Sequence, residues 1–152
     1  MAGRVIRARK FVVGGVKVTN YIEGFEQPEF NKVYDKLNGS FVESSEHVGF
    51  EEVKWKITIK GINAQIVRDA LTMGDETVCI FTEKGKDGSA DYNSVHTMTG
   101  EVSVKFSPSK MKERQTITLE GSIQRYTWLE NGTPIHDIDI PNGDYLIGGK
   151  KY

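Results

Sequence analysis

A single cysteine, Cys79, stands in the whole chain of 152 residues. No disulfide can form within the chain, and a reducing compartment fits. Cys79 lies in the apolar run 77–81, with no base placed near it by sequence, and reads as a buried, inert thiol rather than a nucleophile. No apolar run reaches the length of a membrane span, and the basic N-terminus is not followed by the apolar stretch of a signal peptide. The expectation is synthesis in the cytoplasm and no membrane anchoring. An excess of one charge is also missing, since 20 Lys and Arg face 21 Asp and Glu. A protein whose affinity rests on nucleic-acid phosphates carries a basic excess or a basic stripe, which this composition does not supply. At this length the chain is most simply one domain over 1–152, large enough to bury a core without staples.

Catalytic signatures are scarce too. The histidines are His47, His96 and His136, and none stands at metal-ligand spacing from another His or Cys. His136 adjoins Asp137 and Asp139, but on a strand its side chain points away from both, and carboxylates two apart are ordinarily a solvated face. No serine sits in a nucleophile elbow, and no glycine-rich loop opens a helix after a strand. The expectation is no enzyme, no catalytic residue, no metal and no cofactor.

What the chain does have is alternation. Residues 1–9 are basic and irregular and are expected to form a flexible arm. Two short apolar runs around Gly14-Gly15 read as a tight hairpin, because paired glycines supply the positive φ of primed turns. A strand over 25–33 is interrupted by Pro28, which places it at an edge or bulge. Residues 34–49 are expected to be a long exposed loop, polar at Asn38-Gly39-Ser40 and at Glu43-Ser44-Ser45-Glu46-His47. Val53, Trp55, Ile57 and Ile59 alternate with lysines and Thr58, the pattern of a half-buried strand. Residues 63–73 predict the one helix, capped by Asn63, with Ile66, Val67, Ala70 and Leu71 as its apolar stripe and Gly74 at its end. A short doubly apolar strand over 77–82 and a charged loop over 84–91 follow. Near the C-terminus come a turn at 130–133, alternation over 135–140, a last short strand over 144–147 and a tail over 148–152.

Residues 95–128 carry the strongest signal, two long alternating runs joined by a charged turn. The polar sides read Thr97, Thr99, Glu101, Ser103 and Lys105, then Thr116, Thr118, Glu120, Ser122 and Gln124. The apolar sides read His96, Met98, Gly100, Val102, Val104 and Phe106, then Ile117, Leu119, Gly121 and Ile123. Strict period two means a sheet with one buried face and one wet face. As one strand, residues 94–106 would span roughly 40 Å, about twice the usual length. In the second run the apolar parity changes, for Tyr126 and Trp128 are even-numbered. A bulge near Arg125 with core aromatics is the favoured account; wet-side aromatics meeting a partner are the other.

The order of these features resembles the major tail tube proteins of contractile-tailed, P2-like bacteriophages. The resemblance covers most of the chain: the hairpin within 10–29, the long loop at Asn38-Gly39, the strand 53–59 leading through Gly61 into the helix, and the closing Asn131-Gly132, 135–140 and 144–149. It implies a mainly β, antiparallel sandwich or barrel-forming tail-tube fold with one α-helix packed on the sheet. It further implies a structural virion protein whose hexameric rings stack into a conduit for DNA ejection inside a contractile sheath, made in the bacterial host cytoplasm. Four strands per subunit would line the channel. About 24 strands at about 4.8 Å spacing and a tilt near 40° give a backbone diameter of roughly 48 Å and a bore of roughly 37 Å. The ten polar residues from Thr97 to Gln124 would face the lumen, with Lys54, Lys56 and Lys60 a complication on the adjacent strand. Asn38, Gly39, Ser40, Glu43, Ser44, Ser45, Glu46 and His47 would form an inter-ring loop. Implied partners are copies of the chain itself, the tail sheath, tape measure, baseplate and tail terminator proteins, and DNA passing without sequence-specific binding. The inner tube of a phage-like bacteriocin or contractile injection system is the nearest alternative. A small-ligand-binding β-barrel is a further one.

Overall fold

The computed structural model describes residues 3–19, 21–37, 39, 41–61 and 64–152. Asn63, the expected helix cap, and Asn38 and Ser40 of the expected loop lie outside the described residues. Fourteen antiparallel strands and one α-helix appear among the described residues. The mainly β class with one helix is therefore what the structure has.

An eight-stranded sheet is built from β1 (Arg4–Val13), β2 (Val16–Val18), β7 (Val78–Asp87), β8 (Ala90–Thr99), β11 (Arg125–Glu130), β12 (Thr133–Asp139), β13 (Asp144–Ile147) and β14 (Lys150–Lys151). Its order is β14-β13-β12-β11-β8-β7-β1-β2. A four-stranded sheet has the order β3-β6-β10-β9, where β3 is Ile22–Glu26, β6 Lys54–Lys60, β10 Thr116–Ser122 and β9 Val102–Phe106. The remaining pair, β4 (Lys32–Leu37) and β5 (Ser44–Phe50), is a separate two-stranded ribbon.

The two larger sheets face each other, because each presents its apolar alternates to the same interior. Phe11, Val13, Cys79, Phe81, Met98 and Tyr126 come from the larger sheet, and Trp55, Ile57, Ile59, Ile117 and Leu119 from the smaller. Phe11 meets Trp55 at 5.9 Å, and Phe25 stacks on Phe81 at 4.1 Å across the layers. Gly121 faces Trp55 in the ladder, and a Cβ there would meet the indole at 2.3 Å. The glycine in that apolar series is what lets the tryptophan lie flat. Helix α1 (Ala64–Thr72) buries Ile66 and Ala70, with Val67 half-buried and Leu71 exposed. Asp69 on its outer side accepts the Gly15 N–H at 3.2 Å, fastening the helix to the β1–β2 turn.

Several expectations change here. Arg4 to Arg9 is not an arm but the first half of β1, paired with β7 through Arg4↔Asp87 to Arg9↔Glu83. Of the loop expected over 34–49, residues 34–37 and 44–49 are paired strands of the β4–β5 ribbon. The charged loop over 84–91 continues β7 and β8 to a turn at 88–89. The tail contains β14. Each of these segments is exposed along most of its length, so no one-sided burial impresses an apolar alternation on its sequence.

Candidate functional site

The two long runs are not one hairpin in one sheet. Each leaves the eight-stranded sheet and enters the four-stranded one, β8 into β9 and β10 into β11 in reverse. At this corner Thr99 faces Arg125 while Val102 faces Gly121, so three residue steps on the first run oppose four on the second. One extra residue in the second run flips its side chains to the other face. That is the physical cause of the parity change: Ile123 and Tyr126 are both in the core. The backbones nearly touch at the corner, and a Cβ on Gly100 would come within 2.2 Å of the Ser122 carbonyl oxygen. Hydrogen bonds Gln124 N–H to Thr99 O at 2.7 Å and Ser122 N–H to Glu101 O at 3.0 Å hold both chains through the bend.

The corner divides the ten expected lumen residues. Thr97 and Thr99 lie on β8 of the eight-stranded sheet, and Glu101 and Gln124 sit in the corner itself. Ser103 and Lys105 on β9 share one outward face of the four-stranded sheet with Thr116, Thr118, Glu120 and Ser122 on β10. The expectation of a single continuous face for all ten does not hold. Alternation runs unbroken through Gly100 in the first run, so nothing there marks the change of sheet.

The β6 residues Lys54, Lys56, Thr58 and Lys60 belong to that same outward face, opposite Ser122, Glu120, Thr118 and Thr116 in register. Lys54, Lys56, Lys60 and Lys105 share it with Glu120, and Glu26 of β3 stands opposite Lys56. Lys105 Nζ lies 3.6 Å from Glu120 and Lys60 Nζ 3.6 Å from Glu23. Opposite charges facing across strands support the sheet modestly and leave no uninterrupted basic stripe. Both edge strands, β3 and β9, have one side with no strand partner among the described residues.

The ribbon places the other expected residues. Glu43 pairs with Lys36 at 3.1 Å near the tip. Ser44, Ser45 and Glu46 face Leu37, Lys36 and Asp35 along the ribbon. Gly39 lies between the two strands. His47 lies midway along β5 opposite Tyr34, its Nε2 2.7 Å from the Gly49 carbonyl and its ring against Phe50 at 4.8 Å.

One buried polar group was not singled out as a site by its sequence context. His96, 3% exposed, shares a 2.7 Å hydrogen bond between Nδ1 and the Tyr126 hydroxyl and stacks on Trp128 at 5.2 Å. Burial lowers its pKa to about 4, so the ring is neutral, and burial raises that of Tyr126. His136 Nδ1 accepts the Gly148 N–H at 2.9 Å, and burial lowers its pKa as well. Burial pushes the Cys79 thiol up to about 12, as suits an inert core group. Among the described residues no group of three His, Cys, Asp or Glu side chains could hold a metal ion. No described helix is long and apolar enough to cross a membrane.

Comparison with known proteins bears on this geometry. The family model described as phage tail tube protein FII matches residues 3–152. No curated protein sequence matches the chain. Among solved structures, the chain is similar to a type six secretion system protein, with a TM-score of 0.53 at 14% identity over 95% of this chain and 99% of that one. It is similar also to the tube-terminating cap of the anti-feeding prophage, with a TM-score of 0.51 at 10% identity over 79% of this chain and 86% of that one. At such identities these likenesses speak for the fold.

Proposed function

This chain belongs to the phage tail tube protein FII family, and on that footing we propose that it is the repeating subunit of hexameric rings that stack into the conduit for DNA. The observation that carries the reading is the four-stranded sheet. Its outward face is polar along β6, β9 and β10, and strands β3 and β9 each have one side without a strand partner among the described residues. Open edges invite pairing with any strand, and closure into a ring removes them. Four strands from each of six subunits would close the barrel, with Ser103, Lys105, Thr116, Thr118, Glu120 and Ser122 toward the channel. Lys54, Lys56, Thr58 and Lys60 would join them there.

The mechanism is physical rather than chemical. Short hydroxyls separate the lysines, and Glu120 and Glu23 pair with Lys105 and Lys60, so phosphates meet no unbroken cationic row and DNA slides. The β4–β5 ribbon, with Gly39 and residues 43–46 near its tip, serves contact between rings, and the opposite layer faces the contractile sheath. Tape measure, baseplate and tail terminator proteins complete the assembly in the virion tail, after synthesis in the host cytoplasm. A structural subunit needs no cofactor, and the role assigned is not enzymatic.

Electron microscopy and sedimentation of the purified chain test the reading. Rings or tubes with a central bore support it, and a monodisperse monomer at high concentration contradicts it. Native particles carrying the tube but no capsid or DNA would reassign it to the inner tube of a bacteriocin or injection system.

A further inference from the structure

We infer that the tip of the β4–β5 ribbon docks, through Phe41 and Val42, into an apolar groove at the ribbon's base on a second copy of this chain. The inference rests on the tube reading above. Among the described residues, strands β4 and β5 pair only with each other, and every residue of β4 is exposed. A lone two-stranded ribbon is marginally stable in water. This one nevertheless carries Phe41 fully exposed and Val42 73% exposed at its end. Large apolar groups held out on a projection mark an interaction site.

The groove lies where the ribbon meets the overhang of the eight-stranded sheet beyond the smaller sheet. It encloses about 540 Å³, lined by Phe30, Phe50, Ile123, Ile138, Ile140 and Tyr145. Ile140 remains 42% exposed at its mouth. That volume is in the range of sites that bury a drug-sized ligand and accommodates an aromatic ring with a branched aliphatic neighbour. The chain's own tip cannot fill it. The ribbon is paired from Lys32↔Phe50 out to Leu37↔Ser44, which sets its far end about 20 Å from Phe50 at the strand rise, and Ser44 still stands about 10 Å beyond His47, the groove residue nearest the tip. The occupant must come from another molecule.

A second copy is the partner that the geometry favours. Each chain carries one apolar tip and one apolar groove at different places on its surface. Such a pairing is head-to-tail, and it generates rings where the rotation closes and stacks where it does not. Identical subunits of a tube satisfy it at every position, each giving one tip and receiving one.

Paired cysteines test the docking. Phe41→Cys and Ile140→Cys are both at exposed positions, and the native Cys79 is fully buried. The double variant, assembled and then oxidised, should give a ladder of disulfide-linked multimers and a 41–140 linked peptide by mass spectrometry, because cysteines bridge only with Cβ atoms about 4 Å apart. A ladder that stops at ring size supports docking within a ring, and one that runs beyond it supports docking between rings. Tubes that form without a 41–140 link, or with only a 41–41 link, overturn the docking and leave the tube reading standing. Phe41→Asp should cut tube yield at least tenfold with the monomer's melting temperature unchanged, and undiminished tubes would overturn the docking. An unsubstituted chain that forms neither rings nor tubes overturns the tube reading, and the docking with it.

Discussion

His96 shows how much of this molecule's behaviour sits in single buried groups. Its folded pKa is about 4 against an ordinary 6.5, with burial the largest cause. Between those values the unfolded chain binds a proton at this site and the folded chain does not. Stability is therefore fullest above pH 6.5 and falls as pH drops toward 4. A shift of that size corresponds to on the order of 3 kcal/mol. Denaturant titrations at pH 7 and pH 4.5 should show the loss, and His96→Gln should remove most of the difference between them. Gly121 is a second residue with a definite cost. Gly121→Ala drives a methyl into the Trp55 ring, and calorimetry should show about 1–3 kcal/mol of destabilisation. The position of Gly121 in an apolar series was legible in the sequence. The reason for it was not, since Trp55 is distant in the chain and only the ladder brings the two together. The same holds for the His96–Tyr126–Trp128 cluster, assembled from two runs across a fold.

At the scale of elements, β6, α1 and the turns at 14–15 and 131–132 could be read from periodicity and glycine placement, because one face of each element is buried or each turn demands positive φ. The corner could be read from only one of its two strands. The first run keeps even parity from His96 to Phe106 straight through Gly100, and only the extra residue between Gly121 and Arg125 betrays the change of sheet. The ribbon and the start of β1 were hidden because neither has an apolar face to alternate. The open edge of β9 yields a prediction of its own. The Ser107 N–H bonds the Thr116 carbonyl at 3.0 Å, so along β9 the odd residues bond β10 and the Phe106 N–H points outward. Phe106→Pro therefore removes no hydrogen bond within the subunit, as edge prolines can. It should leave the circular dichroism spectrum unchanged and abolish ring formation in sedimentation. Rings of normal size would show that β9 is not a subunit junction.

For the whole molecule, the proposed tube would turn the outward face of the four-stranded sheet to the channel, where hydroxyls and Glu120 break up Lys54, Lys56, Lys60 and Lys105. Glu120→Lys should cost the subunit about 1 kcal/mol, since the new lysine at 120 meets Lys56 and Lys105. Assembly should persist, while DNA exit slows at low salt and recovers as salt rises. Loss of soluble subunit instead would remove Glu120 from the channel wall. The most direct test of the central claim is a cryo-electron-microscopy map of tubes assembled from the unsubstituted chain. The account predicts six subunits around a bore of roughly 37 Å, walled by β3, β6, β10 and β9 with Thr118 and Glu120 toward the axis. A map in which the eight-stranded sheet lines the bore, or in which no bore exists, would contradict it.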